Sequence, residues 1–355
     1  MSLCIVYLAS PKSHHIYNDP TQESRLELLQ GSVQVVRRLF PNIDILVFHE
    51  DYADQEFRAL PEVTKFIQVD FSGHEQYLNE SLRRPYGYLM MCRFFSGVMQ
   101  SHPEVTKYTH YMRLDDDSYF TEPYLMSEKV SEFIGHDYVY RSTFGDQQDQ
   151  QSLWEFTIEF LRNEGYGAHI ETLKKELRKK HFLHGDTYSG LAPYNNFHVA
   201  SQRIWQNPMI QRYIAALEAS HGILQKGWMD ANIHAMIMYA LTLFIGMKIR
   251  SDTTFGYRHN RHVSRLGDVG VDYKNEFPFG LSQRQPTRSA SPTPNTQPEP
   301  TLDCSEGTDM PEDSSPSLYH PEETPERSDS PGTPSQTHRP SDTQLHLEEL
   351  LLESE

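Results

Sequence analysis

Cysteine is scarce in this chain. Cys4, Cys92 and Cys304 are the only three in 355 residues. Thiols so few and so scattered cannot frame a disulfide scaffold or a thiolate metal site. Positive charge is also short: 32 Lys and Arg stand against 49 Asp and Glu, a formal net charge of −17. The longest basic stretch, LKKELRKK (Leu173–Lys180), reads as the solvated face of a helix. This balance argues against nucleic acid as a partner. No apolar run is long enough to span a membrane, and SLCIVYLAS is too short for one and reads as a first buried strand rather than a signal peptide. No internal repeat is visible.

From Leu281 onward lysine is missing altogether. That segment holds 15 acidic residues and 4 arginines, a net of −11, leaving −6 on residues 1–280. It also holds 12 of the 22 prolines and no long apolar run. Such a composition cannot bury enough surface to offset its ordering entropy. The expectation is one folded domain over 1–280 and a disordered acidic Pro/Ser/Thr-rich tail over 281–355. The leucines of QLHLEELLLESE suit a short helix, either a frayed end or a docking peptide. Its partners are not legible. Asn79-Glu80-Ser81 fits the glycosylation triplet, which chance supplies often.

What is present alternates between strand and helix patterns. Ser2–Ala9 predicts a buried strand. TQESRLELLQGSVQVVRRLF places Leu26, Leu29, Val33, Val36 and Phe40 on one helical face. IDILVFHE and TKFIQVDF predict further strands, and YLMMCRFFSGVMQSHPEV another helix. Later come helical stretches after Ser152, a polar loop over His184–Pro193, and the helices IWQNPMIQRYIAALEAS and DANIHAMIMYALTLFI. FIGMKIRS predicts a late strand, and the folded region is expected to end near Phe279. The alternation predicts an α/β sandwich with a largely parallel sheet.

The strand KYTHYMRLDDDSYF ends in Asp115, Asp116 and Asp117. Adjacent carboxylates resist burial unless a cation or water reaches them. Ligands of such sheets gather beyond the carboxyl ends of strands. Hard divalent ions such as Mn²⁺ or Mg²⁺ favour carboxylate oxygens and leave positions for phosphates. Asp115 and Asp117 are therefore candidate ligands of a metal–nucleotide diphosphate, and a solvated turn is the alternative. FGYRHNRH adds His259 and His262, either ligands or ordinary loop residues. GWMDANIH puts Asp230 at a helix start, where a simple N-cap is the alternative.

YLMMCRFFSG, HPEVTKYTHYMRLDDDSYF, YNNFHVASQRIW, GWMDANIHA and FGYRH occur in that order. Together they resemble the fungal-type alpha-1,2-mannosyltransferases, the glycolipid 2-alpha-mannosyltransferase family, over about Ser2 to His262. The resemblance implies a single GT-A-like, Rossmann-like nucleotide-sugar transferase domain with a divalent metal and GDP-mannose as donor. It implies retention of anomeric configuration and a mannose-terminated glycan, on glycoprotein or glycolipid, as acceptor. By position it makes Asp115, Asp117 and His259 metal ligands, and places Tyr88, Arg93, Asp117 and Asn196 at the donor. Arg93 is expected to pair with a phosphate or with the aspartates. Asp230, Tyr88 and His198 fall at catalytic positions.

Departures from the family pattern matter. Where the family has the glutamate of NFE, this chain has His198, and imidazole substitutes poorly for a carboxylate facing positive charge. The EPD proline is Asp116. LASPKS lacks the arginine associated with the family at the end of the first strand. The leading expectation is a metal-dependent retaining hexosyltransferase; the alternatives are an inactive relative that binds sugar or nucleotide, and a hydrolase using the same metal. The resemblance also implies the Golgi lumen, although no signal or anchor is recognised in the chain; otherwise the cytoplasm is expected.

Overall fold

The structure is a computed structural model that describes residues 2–9, 24–50, 58–120, 123–145 and 150–259. The expected domain boundary at 280, the tail over 281–355 and His262 lie outside these residues.

Thirteen strands are formed among the described residues. They are β1 (Leu3–Leu8), β2 (Asp44–His49), β3 (Lys65–Gln68), β4 (His110–Leu114), β5 (Ser118–Phe120), β6 (Tyr138–Tyr140), β7 (Thr143–Gly145), β8 (Leu183–His184), β9 (Thr187–Tyr188), β10 (Leu191–Pro193), β11 (Phe197–Ser201), β12 (Ile249–Ser251) and β13 (Tyr257–His259). Seven build one sheet in the order β12-β6-β11-β4-β1-β2-β3. Its pairings are parallel except those of β11, which runs antiparallel to both β4 and β6. The predicted mixed α/β architecture with a mostly parallel sheet is thus the observed one.

Side-chain alternation explains the layers. In β1, Cys4 and Val6 enter one core while Ile5 and Tyr7 enter the other. The second core is covered by the Arg25–Leu39 helix through Leu29, Val33 and Val36, and by Pro123–Phe133 through Met126 and Phe133. Ser24 starts the first of these helices with a reciprocal capping box to Glu27. The opposite face is covered by the Tyr86–Arg93, Gln151–Leu161, Ile170–Lys179, Pro208–Ser220 and Asp230–Ala235 helices.

Some expectations need correction. The strand from Lys107 was expected to run through the aspartates, but it stops at Leu114 and turns, with Ser118 N–H bonded to the Asp115 carbonyl at 3.0 Å. The segment read as a polar loop over His184–Pro193 carries the β8–β9 hairpin and β10, which pairs with β7. Strands this short show no periodicity. Phe197–Ser201 was not read as a strand at all, yet it lies in the centre of the sheet.

Candidate active site

Two antiparallel pairings assemble the site. β11 runs against β4 with Phe197 opposite Leu114 and His198 opposite Arg113. Its entry, Tyr194–Asn196, therefore meets the exit of β4, and the Asp115 N–H donates to the Asn196 carbonyl at 3.2 Å. β13 runs against β5 with His259 opposite Ser118. That register carries His259 over the aspartate turn.

Three donor atoms converge there. His259 Nε2 lies 3.2 Å from Asp115 Oδ2 and 3.1 Å from Asp117 Oδ1. The remaining atoms of these side chains are held by neighbours. Tyr194 hydroxyl bonds His259 Nδ1 at 3.0 Å. Arg113 donates through Nε and Nη2 to Asp115 Oδ1 at 3.2 and 3.0 Å. Arg25 Nη1 donates to Asp117 Oδ2 and to Asp116 Oδ1, each at 2.9 Å. Each aspartate of the 115/117 pair thus gives one oxygen to an arginine and turns the other toward the imidazole.

Charge follows from this geometry. Burial raises the Asp115 carboxyl, but the Arg113 charge and the His259 contact outweigh it and hold the group well below the usual carboxylate range. Burial alone would lower His259, yet the Asp117 and Asp115 carboxylates raise it well above its ordinary value. The two carboxylates thus favour the protonated imidazole. Among the described residues no group of three or more His, Cys, Asp or Glu side chains stands as a ready-made metal cluster. The donor set nonetheless fits a hard divalent ion: two carboxylates and one imidazole, each orientated by an outer partner. Asp117 Oδ1 is buried and meets no hydrogen-bond criterion, although His259 Nε2 lies within ion-pair distance at 3.1 Å. An orphaned carboxylate oxygen facing an imidazole is an atom that a cation would satisfy.

Arg113 is the hub beneath. It is almost fully buried, lies over the Phe95 ring with its guanidinium carbon 3.5 Å from the centroid, and donates through Nη1 to Asp230 Oδ2 at 2.7 Å. Asn195 adds a bond to the same Asp230 oxygen at 2.9 Å. Asp230 is the first residue of its helix, and Met229 occupies the N-cap position, so the N-cap alternative does not hold. Tyr88, on the Tyr86–Arg93 helix, feels Cys92 and the Asp230 charge; burial leads in raising its phenol, which stays protonated. Asn196 is buried with neither carboxamide atom hydrogen-bonded.

Two expected site residues are placed elsewhere. Arg93 does not reach the aspartates; its Nε and Nη2 grip Glu218 Oε2, both at 2.7 Å. Among the described residues, the guanidinia at the aspartates are Arg113 and Arg25. His198 is withdrawn from the cleft into the core. It is fully buried and stacked on Tyr138, with Nδ1 3.0 Å from the Asn195 carbonyl and Nε2 3.1 Å from the Tyr111 hydroxyl. Since a carbonyl only accepts, Nδ1 carries the proton, and burial holds the ring neutral, well below its ordinary value. Such a ring cannot touch a sugar. Sequence reasoning missed Arg113, Asn195 and Tyr194, which lie within stretches already singled out. It also missed Arg25, which nothing local marks.

A mixed α/β sheet with an antiparallel strand inserted beside an acidic turn, and its cleft beyond the strand ends, defines a GT-A-like domain. The chain belongs to the glycolipid 2-alpha-mannosyltransferase family, whose sequence pattern matches residues 77–265, more than half of its length. It is similar to glycolipid 2-alpha-mannosyltransferase of Saccharomyces cerevisiae, 24% identical over 241 residues that cover 63% of this chain and 48% of the relative. It is also similar to glycolipid 2-alpha-mannosyltransferase 1 of Candida albicans, 27% identical over 239 residues, 64% of this chain and 51% of the relative. The chain spans about half the length of these curated relatives. Among solved structures, the mannosyltransferase Ktr4p of S. cerevisiae superposes with a TM-score of 0.57 at 18% identity, covering 73% of this chain and 70% of its own. Core-mannan synthase A of Aspergillus fumigatus, in its Mn/GDP form, gives 0.55 at 17% identity, covering 73% and 74%. These likenesses establish a shared fold.

Proposed function

We propose that this chain transfers an α-mannosyl group from GDP-mannose to a mannose-terminated glycan, with retention and with an α-1,2 linkage as the specific product. The observation that carries the reading is the meeting of Asp115 Oδ2, Asp117 Oδ1 and His259 Nε2 at 3.1–3.2 Å, beyond the carboxyl end of β4. Family membership and the Mn/GDP form of a structural neighbour support the donor class. The same three side chains would hold Mn²⁺ or Mg²⁺, which supplies charge stabilisation to a leaving diphosphate. An open cleft of about 440 Å³ beyond β2 and β3, lined by Glu50, Gln68, Val69 and Asp70, offers room for a nucleoside.

The chain's own residues then have distinct tasks. Arg113 fixes the Asp115 rotamer and neutralises Asp230. Tyr194 fixes the orientation of His259. Tyr88, protonated beside Asp230, can donate a hydrogen bond but cannot act as a base. His198 is buried with both ring nitrogens engaged, which argues against a covalent sugar intermediate at that position. A same-face substitution is the mechanism that suits these residues. The bond from the sugar C1 to phosphate oxygen breaks, the bond to the acceptor oxygen forms, and the acceptor proton passes to the leaving phosphate.

The test is GDP release from GDP-mannose with α-methyl mannoside, with and without Mn²⁺, followed by linkage analysis of the product. Metal-dependent release with an α-1,2 disaccharide is expected. Absence of transfer from any nucleotide sugar at saturating metal would leave a sugar- or nucleotide-binding protein.

A further inference from the structure

We propose that Arg25 recognises the pyrophosphate of a nucleoside diphosphate directly, a role that rests on the donor-site reading above. Of the two guanidinia that the described residues bring to the aspartate turn, one is spent. Arg113 is 3% exposed and engages Asp115 and Asp230 through all three of its nitrogens. Arg25 is 29% exposed and uses only Nη1, which bonds Asp116 and Asp117. Its Nε and Nη2 donate to no described residue. A guanidinium carries five N–H donors in a planar fork, so three remain, arranged to meet a phosphate with two parallel bonds.

The helix that carries Arg25 uses part of its N-terminus internally: Glu27 Oε2 takes the Ser24 N–H at 2.8 Å and Ser24 Oγ takes the Glu27 N–H at 3.3 Å. The recognition inferred is that of the side chain. Charge leads to the same residue. Among the described residues at the acidic turn, Arg25 is the cation with unfilled donors. Its hold on Asp117 Oδ2 also turns Oδ1, the orphaned oxygen, toward His259. Arg25 thus reaches both the metal-facing carboxylate and the open side of the cluster.

The experiment titrates the full chain with GDP, GMP and guanosine at saturating Mn²⁺ by calorimetry, and with Mn²⁺ alone by electron paramagnetic resonance. In Arg25→Ala, GDP affinity is expected to fall about 10- to 100-fold. Guanosine affinity should move less than about twofold, and Mn²⁺ alone should bind as tightly or more tightly, since a repelling charge has gone. Arg25→Lys, which keeps the charge and the fold but loses the fork, should fall in between. Wild-type-like GDP affinity in Arg25→Ala would overturn the inference. So would parallel loss of all the ligands, which marks a merely structural side chain. If the wild-type chain binds none of these probes, the donor-site reading falls and this inference with it.

Discussion

Arg113 ties more of the site together than either acidic partner does. It sits between Asp115 and Asp230 with a side-chain exposure of 3%, and Asp230 is nearly as buried at 7%. Removing one partner of a buried pair leaves the other charge uncompensated, which costs about 3–5 kcal/mol. Arg113→Met should therefore lower the unfolding free energy in urea by that amount. A loss below about 1 kcal/mol would mean that water, not the guanidinium, satisfies Asp230. His198 makes the opposite case. Its ring fills a buried position and both nitrogens are used, so His198→Gln, which can still donate to Asn195 and accept from Tyr111, should cost about 1–3 kcal/mol of stability. Its kcat/KM should stay within about threefold of wild type. Asp115→Asn, by contrast, should lose at least about 100-fold. If folded His198→Gln falls as far as Asp115→Asn, the imidazole takes part in the chemistry.

At the scale of elements, local pattern made part of this fold legible. β1, the Arg25–Leu39 helix and β2 follow their apolar periodicity, and the acidic turn was found because three adjacent aspartates need an explanation. β11 was not legible. Phe-His-Val-Ala-Ser mixes an imidazole into a five-residue strand whose burial comes from neighbours on both edges. Arg25 lies about 90 residues from the carboxylates it binds, so only the sheet order reveals it. Arg93 was misplaced because a motif gives proximity in sequence, whereas Glu218, on another helix, decides where that guanidinium rests. The Tyr86–Arg93 helix is followed by a kink within Phe94–Val98, where Gly97 adopts a non-helical φ of 155°. A Cβ there would come within 2.5 Å of Ile214 Cγ2. Gly97→Ala therefore combines backbone strain with overpacking, each worth about 1–3 kcal/mol. Thermal unfolding should report a large drop, and Ile214→Ala in the same chain should recover the packing share alone. Full recovery would show that the backbone is not strained. Phe95, on this segment, forms the floor under Arg113, so the variant should also weaken Mn²⁺ binding.

For the whole molecule, acidity is not the same as local charge. The chain carries a formal −17, yet the site sets Arg25, Arg113 and a protonated His259 against Asp115, Asp116, Asp117 and Asp230, so it is close to balanced. Its response to pH follows from buried histidines as well. His234 is fully buried, with Nε2 2.8 Å from the Phe95 carbonyl and Nδ1 2.8 Å from the Tyr138 hydroxyl. Nε2 must donate to that carbonyl, so Nδ1 accepts, and burial lowers the group from 6.5 to about 4. A depressed histidine leaves the folded chain with fewer bound protons than the unfolded chain below pH 6.5. Its contribution to stability is thus complete above 6.5 and is lost progressively as pH falls toward 4. His198, lowered for the same first reason, adds in the same direction. His259 works the other way. Raised above its ordinary value, it contributes most at low pH and loses that contribution as pH rises through its folded value. Comparing wild type with His234→Gln cancels the His198 and His259 contributions and isolates one proton. Urea unfolding between about pH 7 and 5 should show wild type losing about 1.4 kcal/mol more per pH unit than the variant below pH 6.5. Parallel curves would mean that His234 accepts its proton within the folded chain, and that the layer beneath the site admits water.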